Sequence, residues 1–183
     1  MDFDRLVAEV IADVDRHCRR SPGYEEGPWV NPMKPVDPVA AFALAKVLVN
    51  ANAFDRCVAI APEGHLYGYF FVTLGVEVLS VHVDYPPRQC EFLDDLSVLR
   101  GKRVLILEDD VVSGVTLQLV AEALRSYDPQ SLQLYLGRPK EGQVVENVAP
   151  AIETVYLAEE QLEPNDGERH QAEFIEFFSR NAI

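Results

Sequence analysis

Apolar positions along the chain predict helices at its two ends and short buried strands between them. Residues 2–17 carry a stripe of apolar side chains at helical spacing, formed by Phe3, Leu6, Val7, Val10, Ile11 and Val14. A second helix is predicted over residues 39–52, and a phenylalanine-rich amphipathic helix over residues 168–180. The short apolar runs between these helices alternate with helical stretches, a pattern that indicates a parallel α/β sheet.

The middle of the chain divides into strands, turns and helices of ordinary length. In order, we predict strand 57–61, turn 62–65, helix 66–74, strand 76–83, strand 104–107, helix 116–126, strand 132–136 and strand 153–157. Gly75 supplies the stop of the first of these helices. Internal repeats, Walker A motifs and GxGxxG motifs are absent from the sequence, which disfavours kinase and dinucleotide-binding functions.

Residues 104–116, VLILEDDVVSGVT, place two acids after an apolar strand and a hydroxyl-containing glycine turn before a helix. Ligands of open α/β sheets bind at this carboxyl edge of the strands. A glycine turn at a helix N-terminus can hold a phosphate, whereas carboxylates can accept hydrogen bonds from sugar hydroxyls or approach Mg²⁺. The combination suits a ribose 5-phosphate. The structural alternative is an ordinary strand–turn–helix connection with a serine N-cap.

The same segment resembles the signature of the type I phosphoribosyltransferases, in which four hydrophobic residues, two acids and a variable turn precede Thr/Ser-Gly-x-Thr. The resemblance implies an open, mainly parallel, doubly wound sheet with a small variable hood. In a single domain of residues 1–183, the hood or peripheral elements would be segments 20–55 and 150–183. Glu108 and Asp109 would contact the ribose of 5-phosphoribosyl-1-pyrophosphate (PRPP). The residues implied to bind its 5-phosphate are Val112, Ser113, Gly114, Val115 and Thr116.

The turn at residues 62–65 resembles the pyrophosphate-binding loop of this family, and PEGHLYG is similar to the loop of the adenine phosphoribosyltransferases. The resemblance assigns pyrophosphate binding to Pro62, Glu63, Gly64 and His65. An Arg-Gly-aromatic-Leu-aromatic-Gly run is usual there, and Glu63 replaces its basic residue. Because a carboxylate repels pyrophosphate unless Mg²⁺ lies between them, Glu63 is either a solvated turn residue or a functional departure from the family.

Other variable positions of this family bear on the choice of substrate. The family's mobile loop would be residues 84–95, where Arg88 either reaches the pyrophosphate in a closed state or is a surface arginine. Tyr24 and Trp29, in the first hood segment, either stack on a base or cover the core. Val112 stands where members that use hypoxanthine or guanine usually carry an aspartate. Because valine cannot move a proton, the resemblance disfavours a 6-oxopurine.

Composition limits the partners of the chain. With 30 acidic and 16 basic residues its formal net charge is −14, which disfavours binding to nucleic acid. No apolar run is long enough to span a bilayer, and the acidic N-terminal segment lacks the basic region of a signal peptide. The three cysteines are far apart, which disfavours disulfides and a zinc site and favours a cytoplasmic location.

Two functional hypotheses follow. The first is an enzyme, a Mg²⁺-dependent phosphoribosyltransferase that transfers the ribose 5-phosphate of PRPP to or from a nitrogenous base. The metal would bind through PRPP, with Glu108 or Asp109 as a candidate ligand, and no catalytic side chain is assigned. The second is a non-catalytic sensor that binds PRPP or a nucleotide on the same fold. The signature favours the enzyme, and Glu63 favours the sensor. Both hypotheses expect a small-molecule partner, no nucleic acid and no membrane, and both leave a homodimer open.

Overall fold

The computed structural model describes residues 2–21, 24, 37–84, 89–137, 150–157, 162 and 166–180. Within them, five α-helices are present: α1 (Phe3–Cys18), α2 (Pro38–Asn50), α3 (Gly64–Thr73), α4 (Val115–Arg125) and α5 (Gly167–Arg180). The strands are β1 (Arg56–Ala61), β2 (Val78–Asp84), β3 (Gln89–Phe92), β4 (Arg103–Glu108), β5 (Ser131–Leu136) and β6 (Ile152–Leu157). A short 3₁₀ helix spans Leu96–Leu99.

The strands form a single sheet in the order β3-β2-β1-β4-β5-β6. All neighbouring pairs are parallel except β2 and β3, which are antiparallel. The chain runs outward from β1 to β2 on one side and from β4 to β5 and β6 on the other. The direction of winding therefore switches between β1 and β4, where open α/β sheets leave a crevice for a ligand. This architecture confirms the prediction of an open, mainly parallel, doubly wound sheet.

Helices cover both faces of the sheet because the central strands send alternate side chains to opposite sides. On one face, α1, α2, α3 and α5 pack against a set that includes Cys57 and Leu107. On the other face, α4 and the 3₁₀ helix pack against a set that includes Val58 and Ile106. Burial on both faces explains why β1, β4 and β5 have nearly continuous apolar sequences rather than an alternating pattern.

The described parts of segments 20–55 and 150–183 contribute α2, β6 and α5 to this arrangement. Helix α2 begins at Pro38, and the Asp37 carboxylate caps it by accepting hydrogen bonds from the first-turn backbone N–H groups. The rings of Phe42 in α2 and Phe174 in α5 meet edge to face, with centroids 5.9 Å apart. The segments assigned to a hood from the sequence thus also build the helical layer over one face.

The segment expected to be a loop throughout, residues 84–95, contains β3, and the expectation is wrong for those residues. β3 pairs with the edge of β2, with Phe92 opposite Val81 and Glu91 opposite His82. Backbone pairing to an open strand edge stabilises a short segment whose sequence has little strand character. Arg88 and Trp29 lie outside the described residues. In the part of the chain that the structure describes, no helix is both long and apolar enough to cross a membrane.

Candidate functional site

A cleft of about 420 Å³ opens at the carboxyl ends of the central strands, at the switch between β1 and β4. Its described walls are Ile60, Ala61, Pro62, Glu63, His82, Val83, Glu108, Asp109, Asp110, Val111, Val112, Ser113, Gly114, Thr116 and Leu117. Segments that are distant in sequence thus meet in one place. The cleft brings together the predicted acid pair, most of the predicted 5-phosphate turn and half of the predicted pyrophosphate turn.

A larger cavity, of about 510 Å³, lies between α1, α3 and α5. Its walls combine apolar and aromatic side chains with Glu9, Asp13 and Arg16, and none of the predicted site residues belongs to them. We place the functional site in the smaller cleft, because only that cleft lies at the carboxyl edge of the strands and gathers the predicted groups.

Helix α3 starts in direct contact with β4, which sets the turn after β1 beside the acid pair. A Cβ atom added to Gly64 would lie 2.3 Å from the carbonyl oxygen of Leu107, so only glycine permits this approach. Gly64 is therefore a packing residue, although the sequence assigned it to the pyrophosphate loop. The close approach holds Pro62 and Glu63 at the cleft, whose walls also include Glu108.

The acid pair at the end of β4 is held by hydrogen bonds from backbone N–H groups to the carboxylates. Glu108 is buried, with an exposed fraction of 7%, and its Oε1 accepts a hydrogen bond from Asp109 N at 2.9 Å. Asp109 Oδ1 in turn accepts a hydrogen bond from Asp110 N at 2.6 Å. Burial, reinforced by the negative charge of Asp109, raises the pKa of Glu108 well above its usual range. Such a carboxyl can donate as well as accept a hydrogen bond, as ribose hydroxyls require.

The predicted 5-phosphate turn leads into α4 through a left-handed residue. Gly114 has φ 75° and precedes the first helical residue, Val115. No side chain caps the helix at Gly114, so the serine N-cap of the structural alternative is not what starts α4; Ser113 Oγ accepts only a long hydrogen bond, 3.4 Å, from Val115 N. Four of the five predicted residues line the cleft, and Val115 does not.

Glu63 lies at the cleft rather than in open solvent. It is half-buried, at the start of α3, and burial raises the pKa of its carboxyl to about 7. The negative charges of Asp109 and Asp110 raise the pKa further, while a hydrogen bond from its own backbone N–H and the nearby His82 lower it. Of the two interpretations that the sequence allowed, the solvated turn residue fits this environment less well.

His65, the fourth residue assigned to the pyrophosphate turn, is turned away from the cleft walls. It is buried in the first turn of α3, where its Nε2 is hydrogen-bonded to Ser80 Oγ at 2.9 Å. The His17 ring packs beside it, with ring centroids 5.6 Å apart. Burial, assisted by His17, lowers the pKa of His65 to about 4. These contacts indicate a structural role in fixing α3 to α1 and β2.

Two polar residues of the cleft walls, Asp110 and His82, were not assigned from the sequence. Asp110 adds a third consecutive acid, which the sequence shows but the family signature does not include. His82, at the end of β2, lines the cleft and its Nε2 lies 3.2 Å from Asp84 Oδ1. The pairing of β1 with β2 brings His82 to the cleft. Lysine and arginine are absent from the described walls of this cleft.

Residues 73–155 match the family model described as Phosphoribosyl transferase domain. The matched range includes β2, the acid pair, the 5-phosphate turn and α4, and it begins after the Pro62–His65 turn. The resemblance of that turn to the adenine phosphoribosyltransferases therefore stays a prediction. No curated protein matches the chain significantly.

Two solved structures are similar to the chain, and the first of them, with a TM-score of 0.50, shows the same fold. A hypoxanthine-guanine phosphoribosyltransferase from Bacillus anthracis is similar with a TM-score of 0.50 and 16% identity, covering 67% of this chain and 79% of that one. A purine phosphoribosyltransferase from Pyrococcus horikoshii has a TM-score of 0.47 and 21% identity, covering 64% of this chain and 80% of that one. The domain match supports phosphoribosyl transfer to a base as the chemistry. Residues 73–155 of the chain are therefore similar to the phosphoribosyl transferase domain, and the acid pair and the 5-phosphate turn lie within them.

Proposed function

We propose that this protein is a Mg²⁺-dependent phosphoribosyltransferase that transfers the ribose 5-phosphate of PRPP to or from a nitrogenous base. One observation carries the proposal: the acid pair that ends β4 and the Gly114 turn that starts α4 line the same cleft, at the winding switch of the sheet. A carboxylate pair beside a helix N-terminus suits a sugar phosphate, because the former binds hydroxyls and the latter binds the anion.

The acid pair and the turn before α4 bind different parts of the ligand. Glu108 and Asp109 accept hydrogen bonds from the ribose hydroxyls, and the turn over residues 112–116 holds the 5-phosphate through its backbone. Transfer passes through a positively charged, oxocarbenium-like ribose, which the negative charge of Asp109 stabilises. The chemistry thus needs positioning and electrostatic stabilisation rather than a covalent nucleophile.

The donor set fits Mg²⁺ bound jointly by protein and substrate. In the part of the chain that the structure describes, no cluster of three or more His, Cys, Asp or Glu side chains is arranged as a metal site. Mg²⁺ is commonly held by one or two carboxylates together with substrate phosphates, and Glu108 or Asp109 would supply those oxygens. Bound there, the ion would neutralise the charge of the leaving pyrophosphate.

Other proposals concern the setting and the substrate of the enzyme. All three cysteines are free, which suits a reducing cytoplasm. The side chain of Val112 is exposed at the cleft and has no proton to exchange with a base, which favours bases other than 6-oxopurines. The proposed partners are PRPP and a nucleotide, with a second copy of the chain as a further candidate.

Calorimetric titration of PRPP with Mg²⁺, followed by a pyrophosphate-release assay with a panel of bases, tests this function. We expect saturable PRPP binding and base-dependent release of pyrophosphate. Glu63, a carboxylate in the proposed pyrophosphate turn, specifically favours a second candidate, a non-catalytic PRPP or nucleotide sensor. Tight binding without turnover on any base would establish the sensor, and absence of binding would exclude both functions.

A further inference from the structure

Glu63 lies at the N-terminus of α3, a position that would otherwise favour binding of an anion. It is the residue that precedes Gly64, the first residue of this ten-residue helix, and it lines the cleft. Helix N-termini attract anions through their backbone N–H groups and the helix dipole. The Glu63 carboxyl makes no capping hydrogen bond to α3, but it lies at this end of the helix and lines the cleft, where its charge repels an incoming anion.

The charges around Glu63 make the same end of the cleft unfavourable for further anions. Asp109 and Asp110, which follow β4, are close enough to raise the pKa of Glu63 through their negative charges. Glu108 adds another carboxyl from the end of β4. From β2, the neighbouring group is His82, the only basic side chain among the described residues that line the cleft. Four carboxyl groups therefore face one imidazole.

The turn before α4, which lines the same cleft, is built differently. The turn that leads into α4 contains exposed Ser113 and the left-handed Gly114, neither of which carries charge. A phosphate at this turn meets a helix N-terminus without a competing side-chain anion on Gly114. The two helix N-termini at the cleft thus differ, because Glu63 places a carboxyl at α3 and α4 begins after a glycine.

We propose that Glu63 is an internal anion that selects ribose 5-phosphates without negative charge on C1, such as a nucleoside 5′-monophosphate, over those that carry pyrophosphate. This inference rests on the proposed ribose 5-phosphate site. It adds a specificity-determining residue and a preferred ligand class to that site. PRPP presents anions at both ends, and its pyrophosphate meets the carboxyl groups at α3, whereas a nucleoside monophosphate presents its only phosphate to the turn before α4.

Ribose 5-phosphate and PRPP form a matched pair of probes, since they differ only at C1. Their dissociation constants would be measured by calorimetry at about pH 8, where the Glu63 carboxyl is ionised, in EDTA and then with Mg²⁺. AMP serves as the nucleoside monophosphate. The proteins are the unmodified chain, Glu63→Gln, Glu63→Arg and the control Glu77→Gln. Glu77 is exposed at the opposite edge of the sheet, away from the cleft. Glu77→Gln therefore makes the same change in net charge as Glu63→Gln without altering the cleft walls.

In EDTA we expect the unmodified chain to bind ribose 5-phosphate and AMP about tenfold or more tightly than PRPP, the ratio that roughly 1.4 kcal/mol of repulsion produces. Glu63→Gln should remove most of this preference, Glu63→Arg should reverse it, and Glu77→Gln should keep it. Mg²⁺ should reduce the preference in the unmodified chain, because the ion neutralises pyrophosphate.

Three results would count against the inference, and they separate it from the function on which it rests. If ribose 5-phosphate binds but the preference is absent, or is equal in the unmodified chain and Glu63→Gln, the role of Glu63 is refuted while the ribose 5-phosphate site stands. If Glu63→Arg binds PRPP more weakly than the unmodified chain does, Glu63 assists pyrophosphate and the inference is reversed. If no ligand binds, with or without Mg²⁺, the proposed function fails and the inference fails with it.

Discussion

The α-carbon of Gly64 approaches the carbonyl oxygen of Leu107 so closely that an added Cβ atom would lie 2.3 Å from that oxygen. This contact joins the start of α3 to the end of β4, and therefore joins the turn that holds Glu63 to the strand that ends in Glu108. The two walls of the cleft are thus held together by backbone packing, which is a rigid support for a binding site.

Gly64→Ala should therefore separate α3 from β4. The added methyl group meets backbone rather than a flexible side chain, so we expect a loss of about 1–3 kcal/mol in the free energy of unfolding. Urea denaturation monitored by circular dichroism measures it. Because Glu63 moves with α3, PRPP and ribose 5-phosphate binding should also change.

Gly68→Ala is a control in the same helix. Its Cβ atom would lie 3.5 Å from Val78 Cγ1, an ordinary contact, and alanine favours a helix by up to about 1 kcal/mol over glycine. We expect this variant to be as stable as the unmodified chain or slightly more stable. Equal losses in the two variants would show that the contact with Leu107 is not what makes Gly64 necessary.

Gly114→Val should weaken binding of the 5-phosphate. A β-branched residue at φ 75° is strained by roughly 1–2 kcal/mol, and its side chain would enter the cleft where the phosphate is proposed to lie. We expect ribose 5-phosphate affinity to fall by about tenfold or more, the loss of one charge-assisted hydrogen bond or more. Calorimetry with ribose 5-phosphate checks this.

Gly101→Val is the control for Gly114→Val, because it introduces backbone strain without altering the cleft. Gly101 also has a left-handed backbone, with φ +65°, and it lies outside the cleft walls. A Cβ atom added to Gly101 would have no neighbouring atom within 4 Å, so the substitution introduces strain without a clash. Both variants should lose stability, but only Gly114→Val should lose affinity. Unchanged ribose 5-phosphate affinity in Gly114→Val would remove the phosphate assignment from this turn.

The sequence predicted the parts of the site that depend on local patterns. The apolar run of β4, the acid pair and the Ser-Gly turn placed a ligand at the carboxyl edge of a strand, and the cleft is found there. Glycine and proline positions predicted where strands and helices end. Gly75, for example, was predicted to end a helix, and it follows α3 with a left-handed φ of +82°. Such features depend on neighbouring residues, which a single sequence displays.

Features that depend on distant pairing were not predicted. β3 exists because it adds to the edge of β2, and His82 reaches the cleft because β2 lies beside β1. The burial of His65 depends on Ser80 and on His17, residues that are remote in sequence. The early start of α3, at Gly64 rather than Leu66, depends on its contact with β4. None of these contacts leaves a periodic or spacing signal in the chain.

Asp109→Asn should keep the fold and weaken ribose binding. The asparagine oxygen can still accept the hydrogen bond that Asp110 N donates to Asp109 Oδ1, and loss of one charge relieves repulsion at buried Glu108. We therefore expect the free energy of unfolding to change by less than about 1 kcal/mol, while ribose 5-phosphate affinity or turnover falls by about tenfold. Calorimetry and urea denaturation measure the two effects.

Asp128→Asn is the matched control, since Asp128 is exposed, lies outside the cleft and has a left-handed backbone that asparagine tolerates. It should change neither stability nor affinity appreciably. A more stable Asp109→Asn variant with intact ribose 5-phosphate binding would argue that the acid pair has no role in holding ribose.

His65 should make the fold sensitive to moderate acid. Burial lowers its pKa from 6.5 to about 4, so the unfolded chain binds a proton at pH values where the folded chain does not. The stability associated with neutral His65 is therefore fully present above about pH 6.5 and is lost as the pH falls towards 4. Between about pH 7.5 and pH 5, linkage predicts a loss on the order of 2 kcal/mol from this residue.

His65→Gln removes the titrating group and leaves an amide that can reach Ser80 Oγ. Urea denaturation of both proteins at the two pH values isolates the effect of His65, because other titrating groups act in both. Glu63, whose pKa is raised to about 7, favours the folded state as the pH falls, but its contribution cancels in the comparison. We expect the unmodified chain to lose about 2 kcal/mol more than the variant. Equal losses in the two proteins would mean that His65 is protonated within the folded structure, and that its contacts with His17 and Ser80 do not hold it neutral.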